Sequence, residues 1–215
     1  MTPLRFILVG LGARSRIWQR VLTEHPDCGL VGLVETNPNR LAEALAETVG
    51  TVGGTSLDEV AAGVEADVAL LCTPPGGRQS QVAAACAAGL GILAEKPLAD
   101  TLADAESHVT AAKEAGVSIA VGLNFRYLAV TQALKTLFSP DRLGPPEFGR
   151  FTYERWRDGR LPHLNKYPMS MKQPMLWEQS IHHFDLMRFV YDGSRSASPP
   201  ELSIHHGRCT RAMPM

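Results

Sequence analysis

Over the first 120 residues the chain alternates short apolar runs with segments of helical period, and no other feature restricts its fold as strongly. The runs "LRFILVG", "GLVGLVE", "ADVALLCTP", "GILAEKP" and "VSIAVGL" are rich in Val, Ile and Leu and mostly close on Gly, Pro or an acid. Runs of this kind predict strands buried on both faces. Between them stand "RSRIWQRVLTEHP", "PNRLAEALAETVG", "SLDEVAAGV", "GRQSQVAAACAAG" and "TLADAESHVTAAKEAG", with apolar residues recurring at three and four and a terminal glycine on several. Strands joined by such helices form a parallel sheet, so the pattern predicts an α/β fold with a doubly wound parallel sheet.

A chain of 215 residues is long for one ordinary domain, and the expected division is a first domain over 1–122 followed by part or all of a second over 123–215. The balance of 21 basic against 22 acidic side chains creates no global field for nucleic acid or anionic lipid, so a small-molecule partner is expected. The start "MTPLRFILVGLG" has too short an apolar run for a signal peptide, and no apolar run of about 18 residues follows. A cytoplasmic protein is therefore expected. Cys28, Cys72, Cys86 and Cys209 are scattered without a CxxC pair, which predicts reduced thiols and neither a metal site nor a disulfide framework.

The first strand runs into Gly10-Leu11-Gly12-Ala13-Arg14-Ser15 and then into a helix. Gly10 permits the tight turn and Gly12 lets the backbone approach a pyrophosphate, while the helix N-terminus supplies N–H groups and a positive dipole end. Ser15 replaces the third glycine of the usual fingerprint and is small enough for close packing. Glu35, 25 residues after Gly10 at the end of the second run, is placed to accept the ribose hydroxyls of an adenosine. Its charge repels a 2'-phosphate and favours NAD; Arg40 and Arg14 could offset that repulsion, so NADP stays open. Ligands of an open parallel sheet lie beyond the carboxyl ends of its strands. That rule adds Thr73 and Pro74 of "CTPPGG", and Glu95 and Lys96 of "AEKPLADT". The proline after Lys96 restricts its backbone, giving the ammonium a fixed point of departure as a hydrogen-bond donor or proton carrier.

The stretch "WEQSIHHFDLMRF" sets two acids and two imidazoles among apolar residues, where an ionisable group costs free energy unless it is paired or used. On a regular α-helix Glu178, His182 and Asp185 stand at i, i+4 and i+7, within about 60° of one another, beside an apolar stripe of Trp177, Ile181, Phe184 and Met187. His182 is suited to accept a proton near neutral pH, with an acid one turn away to orient it. His183 falls on a different face and reads as structural.

The GxG turn, the acid after the second run, "TPPGGR", "EKPLADT", "GLNFRY" and "EQSIHHFD" occur in one order, and together they resemble the Gfo/Idh/MocA family of nicotinamide-dependent oxidoreductases over nearly all of residues 4–193. The resemblance implies an N-terminal Rossmann domain and a partial α/β second domain, whose open sheet assembles a homo-oligomer. It implies hydride transfer between NAD and a secondary alcohol of a sugar, cyclitol or related polyol. Lys96 is then the EKP lysine near the substrate hydroxyl. Glu178 and His182 occupy the family's Asp-x-x-x-His positions, with His182 as the proton acceptor. Asn124 and Arg126 are expected to line the nicotinamide, and Tyr127 and Asp185 to reach the substrate with Lys96, Glu178 and His182.

Several residues depart from the family pattern. Arg78 stands where a histidine often ends the TPxxxH segment, and Glu178 carries one methylene more than the usual Asp. Family chains continue well past this helix, whereas 194–215 read as an irregular tail. Residues 146–155, "PEFGRFTYER", are expected to form the first strand of the second sheet, with Phe148, Phe151 and Tyr153 as its apolar face. Alternative readings are a catalytically impaired NAD-binding relative that senses a ligand or regulates a partner, and an inactive truncated fragment.

Overall fold

The computed structural model describes residues 2–144, 146, 148–152 and 175–191, except for the side chains of residues 175, 177 and 178. Six strands, β1 (Leu4–Val9), β2 (Cys28–Val34), β3 (Val52–Gly54), β4 (Val68–Leu71), β5 (Gly91–Ala94) and β6 (Ile119–Val121), form one sheet in the order β3-β2-β1-β4-β5-β6. Every pairing is parallel. The connecting helices are α1 (Ser15–Glu24), α2 (Pro38–Glu47), α3 (Leu57–Gly63), α4 (Arg78–Ala87) and α5 (Leu102–Glu114). The five apolar runs each become a strand. The sixth strand, β3, is three residues with two glycines, too short to announce itself by composition; its partner β2 defines it, through Gly32↔Val52 to Val34↔Gly54.

Successive side chains of β1 point to opposite faces, and both faces are covered. Phe6 and Leu8 pack with Leu22 of α1, Leu33, Ala44 of α2 and Leu70. Ile7 and Val9 pack with Leu57 and Val60 of α3, Val82 and Ala85 of α4, Leu71 and Ile92. This double cover explains why the strands read as continuous apolar runs. Each fully buried Leu or Ile here, such as Ile7, Leu8 and Leu33, contributes about 1.5–3 kcal/mol of hydrophobic stabilisation.

Helix starts follow local chemistry. Asn37 caps α2 by accepting the N–H groups of Asn39 and Arg40, with Pro38 in the first turn. Ser56 caps α3 and Thr101 caps α5. By contrast, α1 has no side-chain cap and no acid in its first turn, so its N-terminal N–H groups lie at the carboxyl end of β1 without a side-chain acceptor.

Beyond β6 come a 3₁₀ turn (Asn124–Tyr127), α6 (Ala129–Leu137) and α7 (Ile181–Val190), the last preceded by a π-helical turn (Met175–Ser180). That turn corrects the expectation of one regular helix through Trp177–Phe189. Its i→i+5 winding includes Glu178, so regular-helix angles do not apply between Glu178 and His182. The side chain of Glu178 lies outside the described groups. Of the strand expected over 146–155, only residues 146 and 148–152 are described. Residues 148–152 carry no strand, and among the described residues none pairs with them. Phe148 is 83% exposed, whereas Phe151 faces the ring of Tyr191 at 6.4 Å between centroids. Tyr153 and residues 194–215 lie outside the described residues. Among the described residues no helix is long and apolar enough to cross a membrane.

Candidate active site

The strand order reverses between β1 and β4, and the loops leaving these strands part there to form a crevice at the carboxyl edge of the sheet. Gly10 has φ +87, and a Cβ at that position would stand 2.8 Å from Thr73 Cγ2 and 3.1 Å from Thr73 N. Only glycine fits a turn that is both left-handed and this close to the loop after β4. Around Gly12 the situation is the opposite: a Cβ would meet nothing within 4 Å, so the backbone is open to a ligand. Ser15 is fully buried, and its hydroxyl donates to the Gly12 carbonyl at 2.7 Å, which ties the helix start to the turn. A cleft of about 320 Å³ borders Gly10, Glu35, Thr55, Thr73 and Gln81. A second, of about 530 Å³, borders Leu11, Gly12, Ala13, Arg16 and Arg40.

Glu35 stands at the end of β2 and is 8% exposed. Its Oε2 accepts the Leu11 N–H at 2.9 Å, and its Oε1 accepts the Asn37 N–H at 2.9 Å and the Thr36 hydroxyl at 3.3 Å. Arg40 Nη1 is 3.6 Å from Oε2. Burial works against the charge, but the Asn37 and Leu11 hydrogen bonds, with Arg40 and Thr36, outweigh it and hold the carboxyl below its ordinary pKa. Glu35 thus braces the glycine turn as well as facing the cleft. Arg14, expected as a counter-charge to a 2'-phosphate near Glu35, reaches the other way: its Nε donates to Glu95 Oε1 at 2.6 Å. Arg40 alone of the two cations stands beside Glu35.

The ends of β4 and β5 are joined through side chains. Glu95 is buried, and its Oε1 accepts both Arg14 and the indole N–H of Trp18 at 2.7 Å, so this acid, expected to serve the cofactor, anchors α1 to the loop after β5. Lys96 follows it, half-buried, with a cis bond to Pro97. The Thr73 hydroxyl donates to Gln81 Oε1 at 2.7 Å, and Pro74 is exposed. Arg78 is 1% exposed and donates to the carbonyls of Thr73, Glu95, Pro97 and Leu98.

At the end of β6 the 3₁₀ turn receives α7. His182 is buried and lies flat against Phe125, with 4.2 Å between ring centroids and 13° between planes. Arg126 clasps Asp185 with two hydrogen bonds, Nε to Oδ2 at 2.6 Å and Nη2 to Oδ1, and its guanidinium lies 5.4 Å from the Phe189 ring centroid. These two residues, expected to serve cofactor and substrate respectively, pair with each other. The reason is burial: Asp185 is 7% exposed, and a carboxylate so far from water holds a cation. Asn124 is exposed and Tyr127 is 79% exposed. His183 is half-buried, and burial pushes its imidazole pKa down, as suits a packed residue. Trp18 and Phe125 carried no signal beyond their aromatic character, and Arg78 showed only as a departure from a pattern.

The strand register brings the sites together. Ala94 of β5 pairs with Val121 of β6, so Lys96 and the turn that carries Phe125 leave the sheet side by side. A doubly wound sheet with an open glycine turn and a buried acid after β2 defines a dinucleotide-binding domain. A family model described as "Oxidoreductase family, NAD-binding Rossmann fold" matches residues 4–123, more than half of the chain. The chain belongs to this Gfo/Idh/MocA family. It is 28% identical over 189 residues to 1,5-anhydro-D-fructose reductase of Ensifer adhaerens, covering 86% of this chain and 56% of that protein. It is 26% identical over 188 residues to myo-inositol 2-dehydrogenase of Thermotoga maritima, covering 87% and 54%. The chain therefore spans little more than half the length of these curated relatives. Among solved structures, the WlbA dehydrogenase of Bordetella pertussis in complex with NADH and UDP-GlcNAcA is 34% identical at TM-score 0.61, covering 67% of this chain and 42% of that one. An oxidoreductase of Agrobacterium radiobacter in complex with NAD+, L-tartaric acid and magnesium shares the fold at TM-score 0.78 and 23% identity, covering 88% and 55%.

Proposed function

We propose that the protein transfers a hydride between NAD and a secondary alcohol carbon of a sugar, cyclitol or related polyol. The reading is carried by one juxtaposition: Lys96 at the end of β5 stands beside the turn whose Phe125 holds His182 at the end of β6. The names of relatives support the substrate class, because they specify a sugar derivative and a cyclitol.

The residues present fit the cofactor. Open backbone at Gly12 and the uncapped start of α1 suit a pyrophosphate, and Glu35 suits the adenosine ribose. When bound, the nicotinamide supplies the hydride acceptor. An imidazole nitrogen of His182 takes the proton of the substrate hydroxyl, and the Lys96 ammonium donates to that oxygen as negative charge builds on it. The face of Phe125 fixes the plane of the imidazole. Arg126 and Asp185 hold α7 against the turn, and Glu178 is assigned as the acid that orients His182. Small-molecule substrates and self-association through the second domain belong to the same reading.

Calorimetric titration with NAD and NADP, then a polyol panel followed at the reduced-nicotinamide absorbance, tests it. Lys96→Ala should leave NAD affinity within about twofold and lower turnover by about 10²–10³, the loss of one transition-state donor. Tight NAD binding with no turnover on any polyol would replace the dehydrogenase reading with that of an NAD-binding sensor.

A further inference from the structure

Arg78 is a guanidinium removed from water almost completely, and it donates to four neutral backbone carbonyls. Desolvating a cation is costly unless its protons are accepted, so the arrangement has to be specific. Nη1 donates to the carbonyls of Glu95 at 2.5 Å, Pro97 at 2.8 Å and Leu98 at 3.3 Å. Nη2 donates to the Thr73 carbonyl at 2.5 Å. The first three acceptors flank Lys96 on both sides, and the fourth belongs to the loop after β4, which also presses on Gly10. A planar fork reaches both loops at once; the single nitrogen of a lysine, or the two opposed nitrogens of a histidine, cannot reproduce it.

We infer that Arg78 is a positioning residue: it clamps the backbone on either side of Lys96 to the loop after β4, and so sets where the Lys96 ammonium stands in the cofactor crevice. The inference rests on Lys96 acting at the reacting oxygen, as proposed above. Catalytic placement is exacting, since a shift of about 1 Å can cost about 10²-fold in rate.

The chain has five lysines, so reductive ¹³C-dimethylation gives few signals, and that of Lys96 is the one missing from Lys96→Ala. The test compares Arg78→Lys, Arg78→His and Arg78→Met with the parent chain, with thermal melts run in parallel. In Arg78→His and Arg78→Met the Lys96 signal should move and lose its response to added NAD, with partial return in Arg78→Lys. NAD affinity should stay within about threefold while kcat falls about 10–100-fold, more than KM rises. A Lys96 signal and NAD response unchanged in every variant that folds would overturn the inference. Failure of all three variants to fold would overturn it too, by making Arg78 a residue of stability alone. Absence of turnover in the parent chain sinks the dehydrogenase reading only, because the Lys96 signal can still be read there.

Discussion

Replacing Glu35 by Gln tests how far one carboxylate holds the glycine turn. The two oxygens of Glu35 accept the Leu11 and Asn37 N–H groups, each at 2.9 Å. A glutamine keeps one acceptor and turns an amide N–H₂ toward the other donor, so one charge-assisted bond becomes a donor facing a donor. Hydrogen bonds to a charged group contribute about 1.5–3 kcal/mol, and an orphaned buried donor costs about 1–3 kcal/mol. The crevice admits water on one side, so the low end applies, and Glu35→Gln should destabilise the chain by about 1.5–2 kcal/mol at pH 7. The pH dependence has a definite sign. Because the folded carboxyl titrates below its ordinary range, its contribution is complete above the unfolded pKa and is lost as pH falls through the folded one. Urea unfolding of parent and variant should therefore differ at neutral pH and converge in acid. The Leu11 and Asn37 amide signals should follow the same titration in the parent and not in the variant. Equal stability at pH 7 with identical acid slopes would show that water satisfies both N–H groups and that Glu35 serves the ligand alone. Removing its charge should also shift preference toward NADP.

Gly10→Ala forces a Cβ into the left-handed region and to within 2.8 Å of Thr73, and should cost about 2–4 kcal/mol with loss of NAD binding; a calorimetric Kd like the parent's would contradict the geometry. The Arg126–Asp185 pair should behave asymmetrically. Arg126→Ala strands a carboxylate that is 7% exposed, whereas Asp185→Ala strands a guanidinium that is 40% exposed, so the first should lower the melting temperature more. Equal effects would show that Asp185 is reached by water. Burial, with Glu95, pushes the Cys72 thiol up to about 12, so at pH 8 iodoacetamide should label Cys72 only after unfolding. Labelling of Cys72 in the folded chain as fast as after denaturation would count against that burial.

Much of the fold and the outline of the site can be read from residue order, because each depends on neighbours in the chain. The period of the apolar runs makes β1, β2, β4, β5 and β6; the Gly10–Ser15 turn needs only the residues within it; and Glu35 lies at the end of the strand that its own sequence builds. Three features lie beyond local reading. β3 exists because β2 offers it hydrogen bonds, and its three residues carry too little pattern alone. The π-helical turn before α7 replaces part of the regular winding on which the stripe of Glu178, His182 and Asp185 was drawn. The largest gap concerns what the charged groups bind. Arg14 meets Glu95 across 81 residues, Arg126 meets Asp185 across 59, and Arg78 meets the carbonyls around Lys96 because β4 and β5 are neighbours. A sequence names which side chains must find partners if buried; the order of strands in the sheet decides which partners arrive, since burial and distance are properties of the packed chain.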